Sequence, residues 1–241
     1  MYKTDLAIII PTLNRLPVLR RMLDSVKQKV IQPAQLIIVD GGSTDGTLEL
    51  IRSWPTLCQG KPITLVEQGE ALGAIPAIQE GVKYLDDDIL YVFIANDDSE
   101  IVDNSIDLST QILARDRNQA VGQIAIPFTC RGRLKLDYVT LLKRRWLYAN
   151  FGMTRREVGD RVAWWNVNPV DGVTPDHYGG DCALSMKCWN LDFAVLGLQG
   201  GFRIKHLELQ DETRRPNLDS ELFYKRWSGW NGPYDDAYLS G

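Results

Sequence analysis

Three places in the 241-residue sequence bring together side chains capable of chemistry. Asn96-Asp97-Asp98 closes the apolar run Ile89 to Ile94. Two adjacent carboxylates at such a strand end repel each other unless a cation or several donors compensate, and hard oxygen ligands of this kind suit Mg2+ or Mn2+ carrying a diphosphate. The other reading is a solvated turn or a helix cap, since Asp-Asp-Ser-Glu also resembles capping chemistry. Asp40 closes a second apolar run, and Gly41-Gly42 behind it frees the backbone to approach a ligand. It can equally open a turn in which Ser43 or Asp45 caps the next helix. His206 is one of only two histidines and stands near Glu208 and Asp211. Imidazole is a common metal ligand, although an isolated histidine is more often a packed or surface residue.

The elements that must position these groups follow from periodicity. Leu6 to Ile10, Gln35 to Asp40, Pro62 to Val66 and Ile89 to Ile94 are short, apolar, β-branched runs, the pattern of strands buried on both faces. Between them, Pro17 to Lys29, Leu48 to Ser53 and Ile75 to Leu85 carry helical spacing. Alternation of strand and helix predicts an α/β fold with a mostly parallel central sheet flanked by helices. In such sheets ligands sit beyond the carboxyl ends of the strands, where Thr12, Asn14, Asp40 and Asn96-Asp97-Asp98 fall. Further on, a helix is expected over Ile106 to Ala114, a strand over Ala120 to Phe128 and a helix over Ala183 to Leu191. Ala163 to Tyr178 reads as a loop and Arg214 to Gly241 as a polar, aromatic tail. With no repeat and no linker, residues 1–241 are expected to form a single domain, 1–103 as its nucleotide-binding half and 104–241 as its acceptor-facing half.

Composition narrows the classes. A net charge of −4 argues against a globally basic nucleic-acid binder. The four cysteines show no C-x-x-C pairing and too little density for a disulfide framework, so they read as reduced thiols. The run Leu6 to Ile10 is about half the length of a signal-peptide core, and no stretch approaches the roughly 18 apolar residues of a membrane span. A cytoplasmic protein, at most peripheral to a membrane, is therefore expected. The absence of a G-x-x-x-x-G-K-[ST] loop, a G-x-G-x-x-G fingerprint and a G-x-S-x-G elbow removes the main support for ATPase, dehydrogenase and hydrolase readings.

The succession Ala7-Ile8-Ile9-Ile10-Pro11-Thr12-Leu13-Asn14-Arg15, Leu36-Ile37-Ile38-Val39-Asp40-Gly41-Gly42-Ser43-Thr44-Asp45-Gly46-Thr47 and Asn96-Asp97-Asp98 resembles the N-terminal half of family-2 glycosyltransferases with the GT-A fold. The likeness is good over about residues 5 to 103. It implies that Pro11, Thr12, Asn14 and Asp40 contact the nucleobase and ribose of a nucleotide sugar, with a UDP-sugar favoured. Gln79 takes the position of an asparagine in the family's donor-side helix, with Ile78 where an arginine is usual. Ala95-Asn96-Asp97 stands where the family has Asp-x-Asp and keeps only its last acid, so that the resemblance would have Asp97, with Asp98, bind the Mn2+ or Mg2+ ion.

In the second half, Gly180-Asp181-Cys182-Ala183 resembles the family's acidic helix start, with Gly180 in place of the usual glutamate. His206 follows Asp181 by 25 residues and resembles the histidine that joins the metal or diphosphate site. The resemblance thus assigns Asp181 as catalytic base; a competing register places Asp192 there instead. A helix dipole would keep Asp181 ionised, and plain N-capping is its bland alternative. Arg131 to Arg145 holds six basic residues and, with Tyr138 and Trp146, reads as a solvated face or as a site for a phosphate-bearing acceptor, an anionic lipid surface or a nucleic acid. Trp164, Trp165, Trp189, Trp227 and Trp230 are sugar platforms or core. The expectation is an inverting, metal-dependent transferase acting on a hydroxyl acceptor. A nucleotidyltransferase on a related sheet and a non-catalytic nucleotide-sugar-binding module are its rivals.

Overall fold

The computed structural model describes residues 5–54, 63–166, 179–207 and 216–235. In chain order it runs β1 (Leu6–Thr12), α1 (Leu16–Lys29), β2 (Ala34–Asp40), α2 (Thr47–Ser53), β3 (Thr64–Glu67), α3 (Ala74–Gly81), β4 (Tyr91–Ile94) and β5 (Ser99–Ile101). There follow α4 (Ser105–Arg115), β6 (Val121–Ala125), β7 (Phe128–Cys130), β8 (Arg133–Lys135), β9 (Asp137–Leu141), β10 (Arg144–Tyr148) and β11 (Gly152–Arg155). The last elements are α5 (Arg156–Arg161), α6 (Gly180–Asn190), β12 (Ala194–Gly197), β13 (Ile204–His206) and α7 (Pro216–Trp227).

Seven strands form the main sheet in the order β12-β6-β11-β4-β1-β2-β3. All neighbours are parallel except β11, which runs antiparallel to both β4 and β6. The two halves of the chain therefore share one sheet. Because β1 is central, both its faces are buried and its residues alternate between two cores. Leu6, Ile8 and Ile10 pack with α1 through Leu19, Met22 and Leu23, whereas Ala7 and Ile9 pack with α3 through Ile75 and Ile78. Gly81 lets α3 lie this close: a Cβ there would stand 2.8 Å from Ile9 and 3.1 Å from Val39.

Two smaller sheets cap the carboxyl edge. One is β5-β13-β7-β8 and the other the hairpin β9-β10. The expected strand over Ala120 to Phe128 is thus two strands, β6 and β7, divided at Ile126-Pro127 and assigned to different sheets. The expected helix over Ile75 to Leu85 ends at Gly81 and tightens into a 3-10 turn over Val82–Tyr84. The segment read as a polar tail contains α7, which carries Phe223 and Trp227 into a third core with Trp230, Val139, Leu141 and Met186. Of the expected loop, residues 163–166 form a turn that buries Trp164 and Trp165, and 167–178 lie outside the described residues.

Cys130, Cys182 and Cys188 are free thiols, and Cys58 lies outside the described residues. Among the described residues no helix is long and apolar enough to cross a membrane.

Candidate active site

The registers of β1, β2 and β4 bring the first three motifs to one edge. Thr12 pairs with Asp40 at the ends of β1 and β2, and Ile94 of β4 lies beside Ile9, so the chain leaving β4 emerges next to Thr12. The Thr12 hydroxyl donates to Asp97 Oδ2 at 2.8 Å. Asp97 is 7% exposed and opens, with Pro11, Thr12, Arg15 and Asn96, on a cavity of about 480 Å³.

Around this wall the other motif residues act as braces. Asp40 is wholly buried, and its Oδ1 accepts the Gly42 and Ser43 amides at 2.9 and 2.8 Å. Asp40 Oδ2 is buried and has no hydrogen-bond partner among the described residues. Asn14 adopts a left-handed backbone at φ 51°. Its amide donates to Ser43 Oγ at 2.8 Å, and its side-chain oxygen accepts the Thr44 amide at 2.7 Å. Asp45 receives the Thr47 hydroxyl at 2.6 Å and the Leu16 amide at 3.0 Å, joining the starts of α1 and α2. Burial raises its pKa, but these hydrogen bonds outweigh that and hold it below its usual value.

Asp98 points away from the cavity. Its carboxylate lies 3.6 Å from Arg15 Nη1 and 3.3 Å from His206 Nε2, and its carbonyl accepts the Leu207 amide at 2.8 Å. His206 itself lines the cavity from β13, held edge-on between Phe128 and Phe151. Asp97 and His206 thus face the cavity while Asp98 backs His206. Among the described residues no group of three His, Cys, Asp or Glu side chains is arranged to hold an ion by itself. The donor set fits an ion that arrives with a diphosphate, since Mg2+ commonly takes one or two carboxylates and completes its shell with phosphate and water.

The opposite wall comes from the second half of the chain. Asp181 lies in the first turn of α6 and lines the same cavity as Asp97, together with Tyr148, Asn150 and Trp165. One of its oxygens accepts the Cys182 amide at 2.7 Å. Burial raises its pKa to about 7; the Cys182 amide opposes this and the charge of Asp137 adds to it. Desolvation therefore outweighs the helix dipole that the sequence suggested would keep this group ionised. Asp137 Oδ2 accepts a hydrogen bond from the Asn150 side-chain Nδ2 at 3.1 Å. Burial, with Asp181 and Asp137 nearby, pushes the Tyr148 hydroxyl well above its usual range, so it remains a donor. Asp192, the alternative base, follows the end of α6, where it accepts the Tyr234 hydroxyl at 3.2 Å.

Gly180 now has a physical account. A Cβ at this position would stand 2.5 Å from the Trp165 indole, so the ring occupies the space that any side chain would need. Lys187, one turn beyond Ala183 on α6, holds that ring in place. Its ammonium donates to the Val162 and Asn166 carbonyls at 2.9 and 2.6 Å, one on each side of Trp165. Burial lowers the Lys187 pKa to about 8, and the charge of Arg226 acts in the same direction.

Of the residues singled out from sequence, Pro11, Thr12, Asn96, Asp97, Asp181 and His206 meet at the cavity. Asn14, Asp40 and Asp98 form its supports, and Gln79 makes one long hydrogen bond of 3.4 Å to the Ala163 carbonyl. Sequence reasoning gave no role to Arg15, Tyr148 or Asn150. Arg15 was visible in the first motif, whereas the other two sit near a hairpin that carries no chemical signature. Of the five tryptophans proposed as sugar platforms or core, Trp164, Trp165, Trp227 and Trp230 are buried; Trp165 alone of these also lines the cavity.

A mostly parallel sheet with a cavity across its carboxyl edge, walled by carboxylates from both halves of the chain, defines an α/β protein of GT-A architecture. The chain belongs to glycosyl transferase family 2, whose family model matches residues 7–166. The fold is that of S. aureus TarS 1-349 in complex with UDP-GlcNAc, with TM-score 0.68 and 14% identity, over 92% of this chain and 64% of that one. It is also that of the mannosyltransferase PcManGT from Pyrobaculum calidifontis in complex with GDP-Man and Mn2+, with TM-score 0.64 and 18% identity, over 88% and 59%. A "PGL/p-HBAD biosynthesis glycosyltransferase" of Mycobacterium bovis is 50% identical over 44 residues, which is 18% of this chain and 17% of that protein. The matched segments thus span under two thirds of each relative. The chain therefore has the GT-A fold of these glycosyltransferases.

Proposed function

We propose that the chain is an inverting, metal-dependent transferase that moves a sugar from a nucleoside diphosphate donor, a UDP-sugar being favoured, to a hydroxyl acceptor. The observation that carries this reading is that Asp97 and Asp181 open on one cavity from opposite halves of the chain, the second with its pKa raised to about 7. In this reading residues 1–103 hold the donor, and 104–241 supply the base and the acceptor's seat within one domain.

Each residue has a task. Pro11 and Thr12 line the donor wall, and Thr12 fixes the Asp97 carboxylate. Asp40 and Asn14 brace the loop whose backbone borders the nucleoside, and the unpartnered Asp40 oxygen is its reserve acceptor. Asn96 and Gln79 are assigned to the same wall. A divalent ion bound with the donor would be held by Asp97 and His206, backed by Asp98, and would supply positive charge to the diphosphate as it leaves. Asp181 accepts the acceptor proton as the acceptor oxygen bonds to the sugar's anomeric carbon; the carbon–oxygen bond to the diphosphate breaks on the opposite face. A carboxylate poised near neutral pH suits this task better than one held fully ionised, because it both takes the proton and stays charged in part at working pH.

The structures of relatives with UDP-GlcNAc and with GDP-Man and Mn2+ support a nucleotide sugar and a divalent ion as ligands of the fold. The test is a screen of nucleotide sugars with Mn2+ by thermal shift, since a ligand that binds only the folded chain raises its melting temperature. Product analysis with the best donor follows. Release of free nucleoside diphosphate with transfer to an acceptor is expected. Pyrophosphate release would show nucleotidyl transfer instead, and a donor that binds without turnover on any hydroxyl acceptor would favour a binding module.

A further inference from the structure

The hairpin β9-β10 makes a two-residue connection in which Leu141 pairs with Arg144, so Leu142 and Lys143 are its tip. Both have left-handed backbones, with φ at 51° and 58°. A two-residue hairpin turn with positive φ at both centres is the type I′ turn, where Asn-Gly fits without steric cost and a leucine does not. The tip therefore spends conformational energy to hold a leucine in water: Leu142 is 47% exposed. Strain of this kind persists where surrounding structure imposes it and is concentrated at working sites.

The stretch of sequence that leads into and out of the tip shares one chemistry. Between residues 131 and 145 there are six basic side chains and a single acid, Asp137, in a chain whose net charge is −4. Arg133, Lys135, Lys143, Arg144 and Arg145 are all exposed. Interleaved with them are Leu134 at 53% and Tyr138 at 41% exposure, Arg145 lying over the Tyr138 ring at 4.2 Å. The inner side of the same hairpin is anchored: Val139 and Leu141 are buried against α6 and α7, and Trp146 packs edge-on to Trp189 and Trp230. A firmly seated hairpin thus presents Leu142 beside Lys143, Arg144 and Arg145, and the preceding strand β8 presents Leu134 between Arg133 and Lys135.

We propose that the β9-β10 tip, with the adjoining β8 strand, docks the chain peripherally on an anionic lipid surface. Phosphate backbones of nucleic acids reward the cations but give nothing to exposed leucines. A lipid interface rewards both, because leucine enters the acyl boundary while the long basic stems keep their charges at the headgroups. Tyr138 and Val139 also line the site cavity, so docking at this tip brings the cavity mouth to the lipid surface. The docking rests on the hairpin and stands apart from the transfer reaction.

The test is co-sedimentation of the full chain with vesicles of phosphatidylcholine alone or with 30 mol% phosphatidylglycerol, at roughly 0.1 M salt where surface charges still act over about 10 Å. Two variants accompany it, L142N/K143G and R133E/K135E. The first converts the tip to the unstrained Asn-Gly turn, so its melting temperature is expected to rise or hold, which separates lost docking from lost folding. Binding is expected to anionic vesicles only, to weaken at high salt, and to fall at least about tenfold in each variant. No binding to anionic vesicles, equal binding to both lipids, unchanged binding in both variants, or tighter binding to a single-stranded oligonucleotide than to vesicles would each overturn the proposal.

Discussion

The two walls of the cavity treat their carboxylates in opposite ways. On the β1-β2-β4 wall, Asp40 accepts two backbone amides, Asp97 accepts a hydroxyl, and Asp98 lies between a guanidinium and an imidazole. On the α6 wall, Asp181 is desolvated, accepts its own neighbour's amide and feels a second carboxylate, with the result that its pKa is raised to about 7. Carboxylates tied to donors or opposite charges from other segments hold a fixed geometry, as a seat for a charged donor requires, even with one Asp40 oxygen left in reserve. An under-satisfied carboxylate is a proton acceptor in waiting, and it costs stability. The division between a rigid seat and a titrating group follows the division of the chain into its two halves.

Removing the under-satisfied charge is the strongest way to break the comparison. Asp181→Asn is expected to lower turnover by a factor on the order of 10²–10⁴ while leaving donor-induced thermal shifts within a few-fold. The same change should stabilise the fold. Because the native pKa is raised above its usual value of 3.8 to about 7, the folded chain keeps a proton that the unfolded chain releases. Stability is thus full below the unfolded value and is lost as pH rises through that window. The variant should lack this loss and gain on the order of 3 kcal/mol over the parent at pH 8. Thermal unfolding at pH 4 and pH 8 checks the sign: a variant equally stabilised at both would show that the gain comes from packing, not from charge.

On the other wall the reverse outcome is expected. Asp98→Ala leaves Arg15 and His206 facing each other without the carboxylate between them, and breaking a buried pair costs about 3–5 kcal/mol. The separations of 3.6 and 3.3 Å and the partial exposure of both partners place the expected loss nearer 2 kcal/mol. Mn2+-dependent donor affinity should fall with it, because His206 loses its backing. Thermal shifts with UDP-sugar with and without Mn2+ measure both effects.

The sequence shows the first wall far better than the second, for a physical reason. β1, β2 and β4 are buried on both faces, so they read as continuous apolar runs, and their polar ends stand out against them. β11 is also interior to the sheet, yet it is four residues long and contains Arg155. That guanidinium is buried because the Leu113 and Val121 carbonyls and the Asp116 carboxylate receive it, an arrangement that no local pattern announces. The β9-β10 hairpin was hidden because its turn is Leu-Lys, not Asn-Gly, so its basic residues looked like one continuous face. α7 buries Phe223 and Trp227 on a segment whose composition is polar overall. Asp181 and His206 were singled out by resemblance to the family's helix start and by the 25 residues between them, and both lie outside the residues 7–166 that match the family model.

Two glycines sharpen the comparison at a smaller scale. Gly81 and Gly180 are both helical positions where a Cβ has no room, the first against Ile9 and Val39 and the second against the Trp165 ring. Alanine at either site is expected to cost about 1–3 kcal/mol by overpacking. Gly81→Ala strains only the packing of α3 on the sheet, so turnover at a permissive temperature should stay near that of the parent. Gly180→Ala moves the ring or the first turn of α6, and Asp181 is the next residue. Its turnover should fall several-fold beyond what lost folding explains, with Michaelis constant for the donor little changed. Equal turnover in the two variants, measured well below both melting temperatures, would mean that the α6 start tolerates displacement and that the seat of Asp181 is less exacting than its burial suggests.

The smallest expected effect lies in the Asn14–Thr44 loop that the proposed function sets beside the nucleoside. Asn14 spends little on its left-handed backbone because asparagine visits that region more readily than most residues, and its side chain is repaid by the Thr44 amide. Asn14→Ala loses the hydrogen bond and retains the strain, for a cost of roughly 1 kcal/mol; Asn14→Gly loses the hydrogen bond and relieves the strain, for a smaller one. If the loop is a rigid seat, both variants should weaken donor binding more than they lower the melting temperature, because the loss is confined to the segment that must be held still. Were Asn14→Gly to bind donor as tightly as the parent, the bond to Thr44 would be a consequence of the turn and not its support, and the rigidity of this wall would reside in Asp40 and Asp45 instead.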